Sequence, residues 1–344
     1  MKTPYFIFKP KVLEKNYKEF EKLCEKYLEK FVIAYSVKTN SHNKVIDLLS
    51  DLGSNFEVAS LKEINMTPKK SKIFNGPAKT KEELEIAIDE KFLINIDSKS
   101  EINKIYNITK GESFNIGLRI STKETKFGFD ETLLQDIIKY AKFKNLNIIG
   151  LQFHKGTQQT ITDFKENLEK ASRIINTLPK DIELKYIDIG GGFPDKIQLK
   201  NLHATLEDFF QAIQKNLKKF NATIIVEPGR NLVANAFELI TKVQVIKQNF
   251  KKTYAILDAG INFLPKITLS QYKFSKLNKS EKKEELKEYI LAGPLLFTND
   301  TLGKIRESLQ EEDLIKVENV GAYCQNLAWK ISYDQPEIIT QENQ

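Results

Sequence analysis

One lysine, one histidine and one glutamate each stand directly after a short apolar run. These residues are Lys38, His154 and Glu227. A lysine amine held out of water has a lowered pKa and can form a Schiff base with a carbonyl group. A carboxylate at such a place can keep the ring nitrogen of a cofactor protonated. For Lys38 alone a surface role is the plainer interpretation, and for His154 a structural one. The three together indicate a site.

Glycines and an arginine add a second kind of chemistry. The run Gly190–Gly192 allows a nest of backbone N–H groups that binds phosphate, although a tight turn explains one of these glycines. Arg230 offers a planar fork of donors that suits phosphate, with a salt bridge as the alternative. Combined with Lys38, His154 and Glu227, these residues predict an aldehyde cofactor with a phosphate tail. Pyridoxal 5'-phosphate is the natural candidate.

The elements that must position these residues alternate along the chain. Eight short apolar runs are separated by segments of helical period, which is typical of a (β/α)8 TIM-type barrel. A doubly wound sheet is the main alternative. Polar residues just past the runs favour the barrel, because barrel enzymes build their sites at the carboxyl ends of the strands. The predicted strands are 32–37, 56–59, 72–75, 92–96, 114–120, 148–153, 186–189 and 223–226.

The order of predicted elements changes near residue 237, where strand-like runs follow one another without long helices between them. A second, mostly β C-terminal domain is therefore expected, built as a β-sandwich or barrel. Residues 5–8 are also strand-like. We predict a barrel domain at 26–236, and a β-rich domain at 1–25 plus 237–344. The predicted strands of the second domain are 237–245, 253–257, 289–291 and 314–317.

Composition bounds the class of protein. The chain has 344 residues, of which 41% are hydrophobic and 29% charged, as in a soluble globular protein. The net charge of +7 comes from lysines that alternate with acidic residues, so nucleic-acid binding is not expected. No apolar run is long enough to span a membrane. Two cysteines are too few for a disulfide framework or a zinc site, so we expect no metal and a cytoplasmic protein.

Eight ordered motifs resemble the fold-type III pyridoxal-phosphate decarboxylases, which share the alanine racemase barrel and include ornithine, diaminopimelate and arginine decarboxylases. The resemblance runs from about residue 30 to 335. The motifs are Tyr35-Ser36-Val37-Lys38-Thr39-Asn40, Phe56-Glu57-Val58-Ala59-Ser60, Gly76-Pro77-Ala78-Lys79-Thr80, Phe153-His154-Lys155-Gly156-Thr157-Gln158, Gly190-Gly191-Gly192-Phe193-Pro194, Glu227-Pro228-Gly229-Arg230, Gly293-Pro294 with Asp300, and Gly321-Ala322-Tyr323.

The resemblance implies roles for single residues. Lys38 is the Schiff-base lysine, His154 stacks on the pyridine ring and Glu227 partners its nitrogen. Arg119 and Glu57 lie near the cofactor. The implied phosphate-binding residues are Thr157, Gly190, Gly191, Gly192, Gly229, Arg230 and Tyr323. The resemblance also implies a homodimer with shared active sites, in which residues 293–300 of one subunit complete the site of the other.

Glu227 also bears on the type of reaction. A protonated pyridine is a strong electron sink, which suits the loss of carbon dioxide. Racemases of this fold carry an arginine at that position. The sequence therefore favours α-decarboxylation of an amino acid, with Lys38 as a proton donor.

Two departures from the family pattern bear on the substrate. Leu296 and Phe297 replace the cysteine and the acidic residue that usually follow the Gly-Pro motif, and Lys155 adds a positive charge. An unmasked distal ammonium would lose its ion partner there. We expect an N-acylated substrate such as N-citryl-ornithine in siderophore biosynthesis, with Lys155 and Phe297 contacting it. The alternatives are a free ornithine, lysine or diaminopimelate read by other residues including Asp300, and a catalytically weak regulatory homologue.

Overall fold

The computed structural model describes residues 2–68, 72–277 and 285–341. The chain divides into two compact units, Met1–Lys15 with Leu232–Gln344, and Asn16–Asn231. Both divisions lie earlier in the chain than the predicted boundaries at 25 and 236. The chain begins with strand β1 (Tyr5–Phe8) and helix α1 (Pro10–Tyr27).

Eight parallel strands close into a barrel in the larger unit, each hydrogen-bonded to the next and the last to the first. All eight predicted barrel strands are present, so the barrel is confirmed and the doubly wound sheet is wrong. The strands are β2 (Phe31–Ser36), β3 (Asn55–Val58), β4 (Lys72–Phe74), β5 (Leu93–Ile96), β6 (Phe114–Ile120), β7 (Leu146–Phe153), β8 (Tyr186–Asp188) and β9 (Thr223–Val226).

Helices follow the strands and cover the outside of the barrel with one apolar face each. Their starts are fixed by side-chain caps: Thr80 and Glu83 form a capping box, as do Thr205 and Asp208. The helices are α2 (Asn43–Asp51), α3 (Leu61–Met66), α4 (Lys81–Asp89), α5 (Lys99–Ile108), α6 (Leu134–Phe143), α7 (Ile161–Asn176), α8 (Lys196–Asn201), α9 (Leu206–Leu217) and α10 (Arg230–Val233).

A tyrosine from β8 fills the barrel interior. Tyr186 is buried and packs with Ala34, Ile73 and Ile225. Gly150 on the neighbouring strand makes room for it, since a Cβ atom there would lie 2.1 Å from the tyrosine ring. The lumen is therefore a packed core, and polar groups gather at the carboxyl ends of the strands.

The smaller unit is a mostly β structure, as predicted. Its further strands, among the described residues, are β10 (Phe237–Asn249), β11 (Lys252–Leu257), β12 (Lys273–Lys276), β13 (Lys287–Ala292), β14 (Thr301–Glu307), β15 (Leu314–Glu318) and β16 (Glu337–Thr340). They form a sheet in the order β12-β15-β10-β11-β13-β14, with β1 antiparallel to β10 and parallel to β16. Three of these strands, β12, β14 and β16, are not among those predicted.

Within the described residues, no helix combines the length and the apolar character needed to cross a membrane.

Candidate active site

Lys38 lies in a short turn after β2, and its amine meets a buried carboxyl group. Nζ donates hydrogen bonds to Ser36 Oγ at 2.7 Å and to Glu57 Oε2. Burial alone would raise the pKa of Glu57, but the positive charge of Lys38 and hydrogen bonds from Lys38 and Ser36 hold it below its usual value. Glu57 is therefore an ionised partner of the predicted Schiff-base lysine.

His154 follows β7 directly and is held as a neutral ring. Burial, together with the positive charges of Lys38 and Arg119, lowers its pKa to about 3. The backbone N–H of Gly191 donates to His154 Nδ1 at 3.2 Å. The neutral imidazole therefore carries its proton on Nε2. Its stacking on a cofactor ring stays a prediction.

Glu227 follows β9 and is buried among polar groups. Its Oε1 accepts a hydrogen bond from Asn75 Nδ2 at 2.6 Å, and the Asp188 side chain lies within hydrogen-bonding reach. Burial and the negative charges of Asp188 and Glu57 raise the pKa of Glu227 well above its usual value. A protonated carboxyl group at this place suits the predicted contact with a ring nitrogen.

The three glycines line the end of β8 and pack against the loop after β7. Gly192 has a φ of +92°, and a Cβ atom there would lie 2.2 Å from the carbonyl oxygen of Gly156. The N–H of Gln159 donates to the Gly192 carbonyl at 3.0 Å. Side chains at Gly190 or Gly191 would likewise meet His154 or Glu227. The segment is thus built for close backbone approach.

Arg230 begins α10 beside this segment. It is buried, and its Nε donates to Thr157 Oγ1 at 3.4 Å. Gly229 leaves space next to it, since a Cβ atom there would lie 2.1 Å from Thr39 Oγ1. A guanidinium, a hydroxyl and glycine amides in one place are the donors that a phosphate group requires. The residues present therefore fit the phosphate of the predicted cofactor.

Arg119 lies on β6 and is already engaged by other side chains. Its guanidinium is 3.6 Å from Asp97 Oδ2 and 4.4 Å from the centre of the Phe127 ring. It contributes positive charge near His154. Its contact with the cofactor stays a prediction.

Lys155 is the predicted substrate contact that fits the structure least. Its Nζ lies 2.8 Å from Asp163 Oδ1 and 2.9 Å from Glu166 Oε2, both on α7. Two carboxylates therefore already balance its charge. The hypothesis that it meets added carboxylates of a substrate requires a free cation, which Lys155 does not provide.

Asp300 also differs from its predicted role. The carboxyl is buried and accepts hydrogen bonds from the N–H groups of Ile261 and Leu295, both at 2.8 Å. Gly260 and Gly293 leave room for this carboxyl group, since a Cβ atom would lie 2.7 Å from its oxygens at Gly260 and 2.3 Å at Gly293. Asp300 therefore holds the loop after β13 in shape, and its oxygens are occupied by backbone amides rather than left open to a substrate.

The tip of that loop carries apolar side chains into solvent. Leu296 is fully exposed and Phe297 is 42% exposed. The ring of Phe297 lies 5.8 Å from that of Trp329, the single tryptophan of the chain. Tyr323, in the same unit, has a φ of +68° and is half-buried. The roles of Phe297 and Tyr323 in binding stay predictions.

Three polar residues of the site escaped the sequence analysis. Asp188, Asn75 and Asn95 are buried at the strand ends and are hydrogen-bonded around Glu227. The available signal was a charged residue inside the apolar run at 186–189 and an asparagine at the end of the run at 72–75.

Comparison with known proteins identifies the family of this chain. The family model for the pyridoxal binding domain of pyridoxal-dependent decarboxylases matches residues 13–234. The chain belongs to the pyridoxal-dependent decarboxylase family. It is 29% identical to the diaminopimelate decarboxylase of Aquifex aeolicus over an alignment that covers 93% of this chain and 82% of that protein.

Solved structures extend the similarity to the whole chain. The crystal structure of diaminopimelate decarboxylase from Helicobacter pylori complexed with L-lysine has a TM-score of 0.89 and 26% identity, covering 99% of this chain and 92% of that one. Lysine decarboxylase from Selenomonas ruminantium has a TM-score of 0.85 and 26% identity, covering 100% and 94%. The predicted family, fold and cofactor are confirmed: this decarboxylase is a pyridoxal-phosphate-dependent carboxy-lyase that acts on an amino acid.

Proposed function

We propose that this decarboxylase removes the α-carboxylate of a free diamino acid of the diaminopimelate, lysine and ornithine class. The names of its relatives support this substrate class, which was the alternative to the acylated one. The observation that carries the choice is the pairing of Lys155 with Asp163 and Glu166. Without a free cation at Lys155, an acidic acyl group such as citryl loses its expected partner, and the siderophore role is not supported.

The side chains divide the chemistry among them. When bound, pyridoxal phosphate supplies the electron sink that makes loss of carbon dioxide possible. Arg230, Thr157 and the glycine segment bind its phosphate. Glu227 holds a proton at its carboxyl group beside the ring nitrogen. Lys38, held by Glu57, returns a proton to the α-carbon after carbon dioxide leaves.

A substrate panel tests the proposal. Purified protein loaded with pyridoxal phosphate is given meso-diaminopimelate, lysine, ornithine and N-citryl-ornithine, and carbon dioxide release is measured. At least one free diamino acid is expected to be turned over with a kcat/KM at least about tenfold above that of N-citryl-ornithine, which corresponds to about 1.4 kcal/mol of transition-state binding. Turnover of the acylated substrate alone would overturn it. Lys38→Ala protein provides the blank.

A second candidate is a diamino acid whose distal amine carries an apolar acyl group. Leu296 and Phe297 favour it, because they put exposed apolar surface where the family pattern has a cysteine and an acidic residue. An N-acetyl and an N-benzoyl derivative of ornithine and of lysine extend the same panel. Higher kcat/KM for these than for the free amino acids, lost in Phe297→Asp, would establish this candidate instead.

We also propose that the protein is a homodimer with shared active sites. The exposed Leu296, Phe297 and Trp329 support it, since contiguous apolar surface of this kind is typical of contact sites. The cytoplasmic location and the lack of a nucleic-acid partner remain predictions.

A further inference from the structure

A line of buried amide and carboxyl groups connects the middle of the barrel to its carboxyl end. Tyr186 Oη donates to Asn95 Oδ1 at 2.8 Å. Asn95 Nδ2 donates in turn to Asn75 Oδ1 at 2.9 Å and to Asp188 Oδ2 at 3.1 Å. Asn75 then donates to Glu227. Each of these residues is buried, so the hydrogen bonds of the network fix its members against one another.

Asp188 and Glu227 are two acids in this network with no cation of their own. Among the residues that the structure describes, the nearby basic groups are paired elsewhere, Lys38 with Glu57 and Arg119 with Asp97. The partners of Asp188 are the Gly190 N–H, at 2.8 Å, and Asn95. Two buried carboxyl groups within hydrogen-bonding reach cannot both be ionised cheaply, so the pair retains a proton.

The network decides which of the two carries that proton. Asp188 accepts two hydrogen bonds from fixed donors, the Gly190 backbone and Asn95, which stabilise its charged form. Glu227 accepts a hydrogen bond from Asn75 and faces the negative charges of Asp188 and Glu57, which the positive charge of Lys38 offsets only in part. The proton therefore resides on Glu227.

We propose that Asp188 is a positioning residue that keeps Glu227 protonated at neutral pH and oriented to give its proton to the cofactor's pyridine nitrogen. With the cofactor bound, Glu227 would lie at the ring nitrogen and could supply this proton to it, and the Glu227 carboxylate left behind would pair with the positive charge that the ring gains. Burial raises the pKa of Asp188 to about 7, and the hydrogen bonds from Gly190 and Asn95 oppose that rise, so Asp188 ionises before Glu227. The inference rests on the proposed assignment of Glu227 to the ring nitrogen.

Infrared difference spectroscopy of the cofactor-free full chain tests the proton directly. Wild type minus Glu227→Gln is expected to show the carbonyl stretch of one protonated carboxyl group at neutral pH, shifting in D2O as an exchangeable O–H group requires. In Asp188→Asn the like charge is gone, so the pH at which this band disappears is expected to fall by about one unit or more. Asp97→Asn, a buried acid at the same end of the barrel but paired with Arg119, is the matched control and keeps the band.

A second measurement uses the holoenzyme. The visible absorbance of the bound cofactor is titrated with pH, and Asp188→Asn is expected to move its midpoint while Asp97→Asn moves it less. Absence of a protonated carboxyl band in the wild type at neutral pH would overturn the inference even if Asp188→Asn failed to fold. So would an unchanged titration of the band in folded Asp188→Asn. If the band behaved as expected but the protein decarboxylated none of the substrates tested, the inference about Asp188 and Glu227 would stand and the proposed function would be wrong.

Discussion

Glu227 is the residue on which the proposed reaction depends most for its proton. Its replacement by glutamine keeps the shape and the acceptor for Asn75 but removes the acidic proton. We expect Glu227→Gln to lower kcat by about 100-fold, the size of a lost proton-transfer group, with a much smaller change in KM. Steady-state carbon dioxide release measures both.

Glu63→Gln is the matched control for that variant. Glu63 lies near Glu57 and is partly buried, but its carboxyl caps the N–H of Ala59 rather than joining the Glu227 network. We expect its kcat to stay within about twofold of wild type. An equal loss in both variants would mean that any acid-to-amide change at this end of the barrel is damaging.

His154 predicts how stability changes with pH. Its pKa falls from an ordinary 6.5 to about 3 in the folded chain, so the folded state excludes a proton that the unfolded state binds. The stabilisation is complete above the ordinary value and is lost as the pH drops from there towards 3. Between pH 7 and 4 we expect wild type to lose about 1–3 kcal/mol more unfolding free energy than His154→Gln.

Urea unfolding of the cofactor-free protein at both pH values gives this difference. His203→Gln is the control, because His203 is exposed to water. If His154→Gln followed the wild-type loss within error, the imidazole would not be held neutral by the fold.

At the scale of elements, the packing of β7 on β8 makes Gly150 and Tyr186 interdependent. Gly150→Ala puts a methyl group 2.1 Å from the tyrosine ring. We expect it to destabilise the barrel by about 1–3 kcal/mol, the cost of overpacking a filled core. In a Tyr186→Leu background the same substitution should cost less, because the ring is gone. A double-mutant cycle of unfolding free energies measures the coupling, and strictly additive losses would contradict it.

The predicted elements succeed where burial leaves a clear pattern. The barrel strands are short apolar runs bounded by polar ends, and all eight were predictable. β12 and β14 carry charged residues between partly buried ones, so their runs are not apolar. Helix α1 was not predicted, although its buried residues Leu13, Tyr17, Phe20 and Cys24 recur at three- and four-residue spacing.

The candidate site was predictable from the sequence only in part. Lys38, His154 and Glu227 stand at strand ends and so were predictable from position. The pairing of Asp188 with Asn95 joins β8 to β5 across 93 positions of sequence, and that of Asn75 with Glu227 spans 152. Such contacts depend on barrel closure and register, which no local pattern encodes. The ion pairs of Lys155 with Asp163 and Glu166 likewise depend on where α7 begins.

At the scale of the whole molecule, the proposed homodimer gives residues 293–300 a purpose. Asp300 is buried and accepts hydrogen bonds from two backbone amides, so it fixes the loop in one conformation. The tip of the same loop, Leu296 and Phe297, lies in solvent. A loop held rigid while its apolar tip is exposed suits contact with a second copy of the chain. If that tip completes the site of the other subunit, the Lys38 amine and the loop of one active site come from different chains.

Mixing two inactive variants tests this. Lys38→Ala lacks the Schiff-base amine, and Asp300→Ala releases the loop from the Ile261 and Leu295 amides. When equal amounts of the two variants exchange subunits at random, half of the dimers contain one subunit of each kind. In each such dimer, one of the two sites has both an intact Lys38 and an intact loop. We therefore expect recovery of about a quarter of wild-type activity when sites are shared. Each variant mixed with itself is the control. A dimer by light scattering that recovers nothing, although both variants fold, would mean that each subunit builds its site from its own loop.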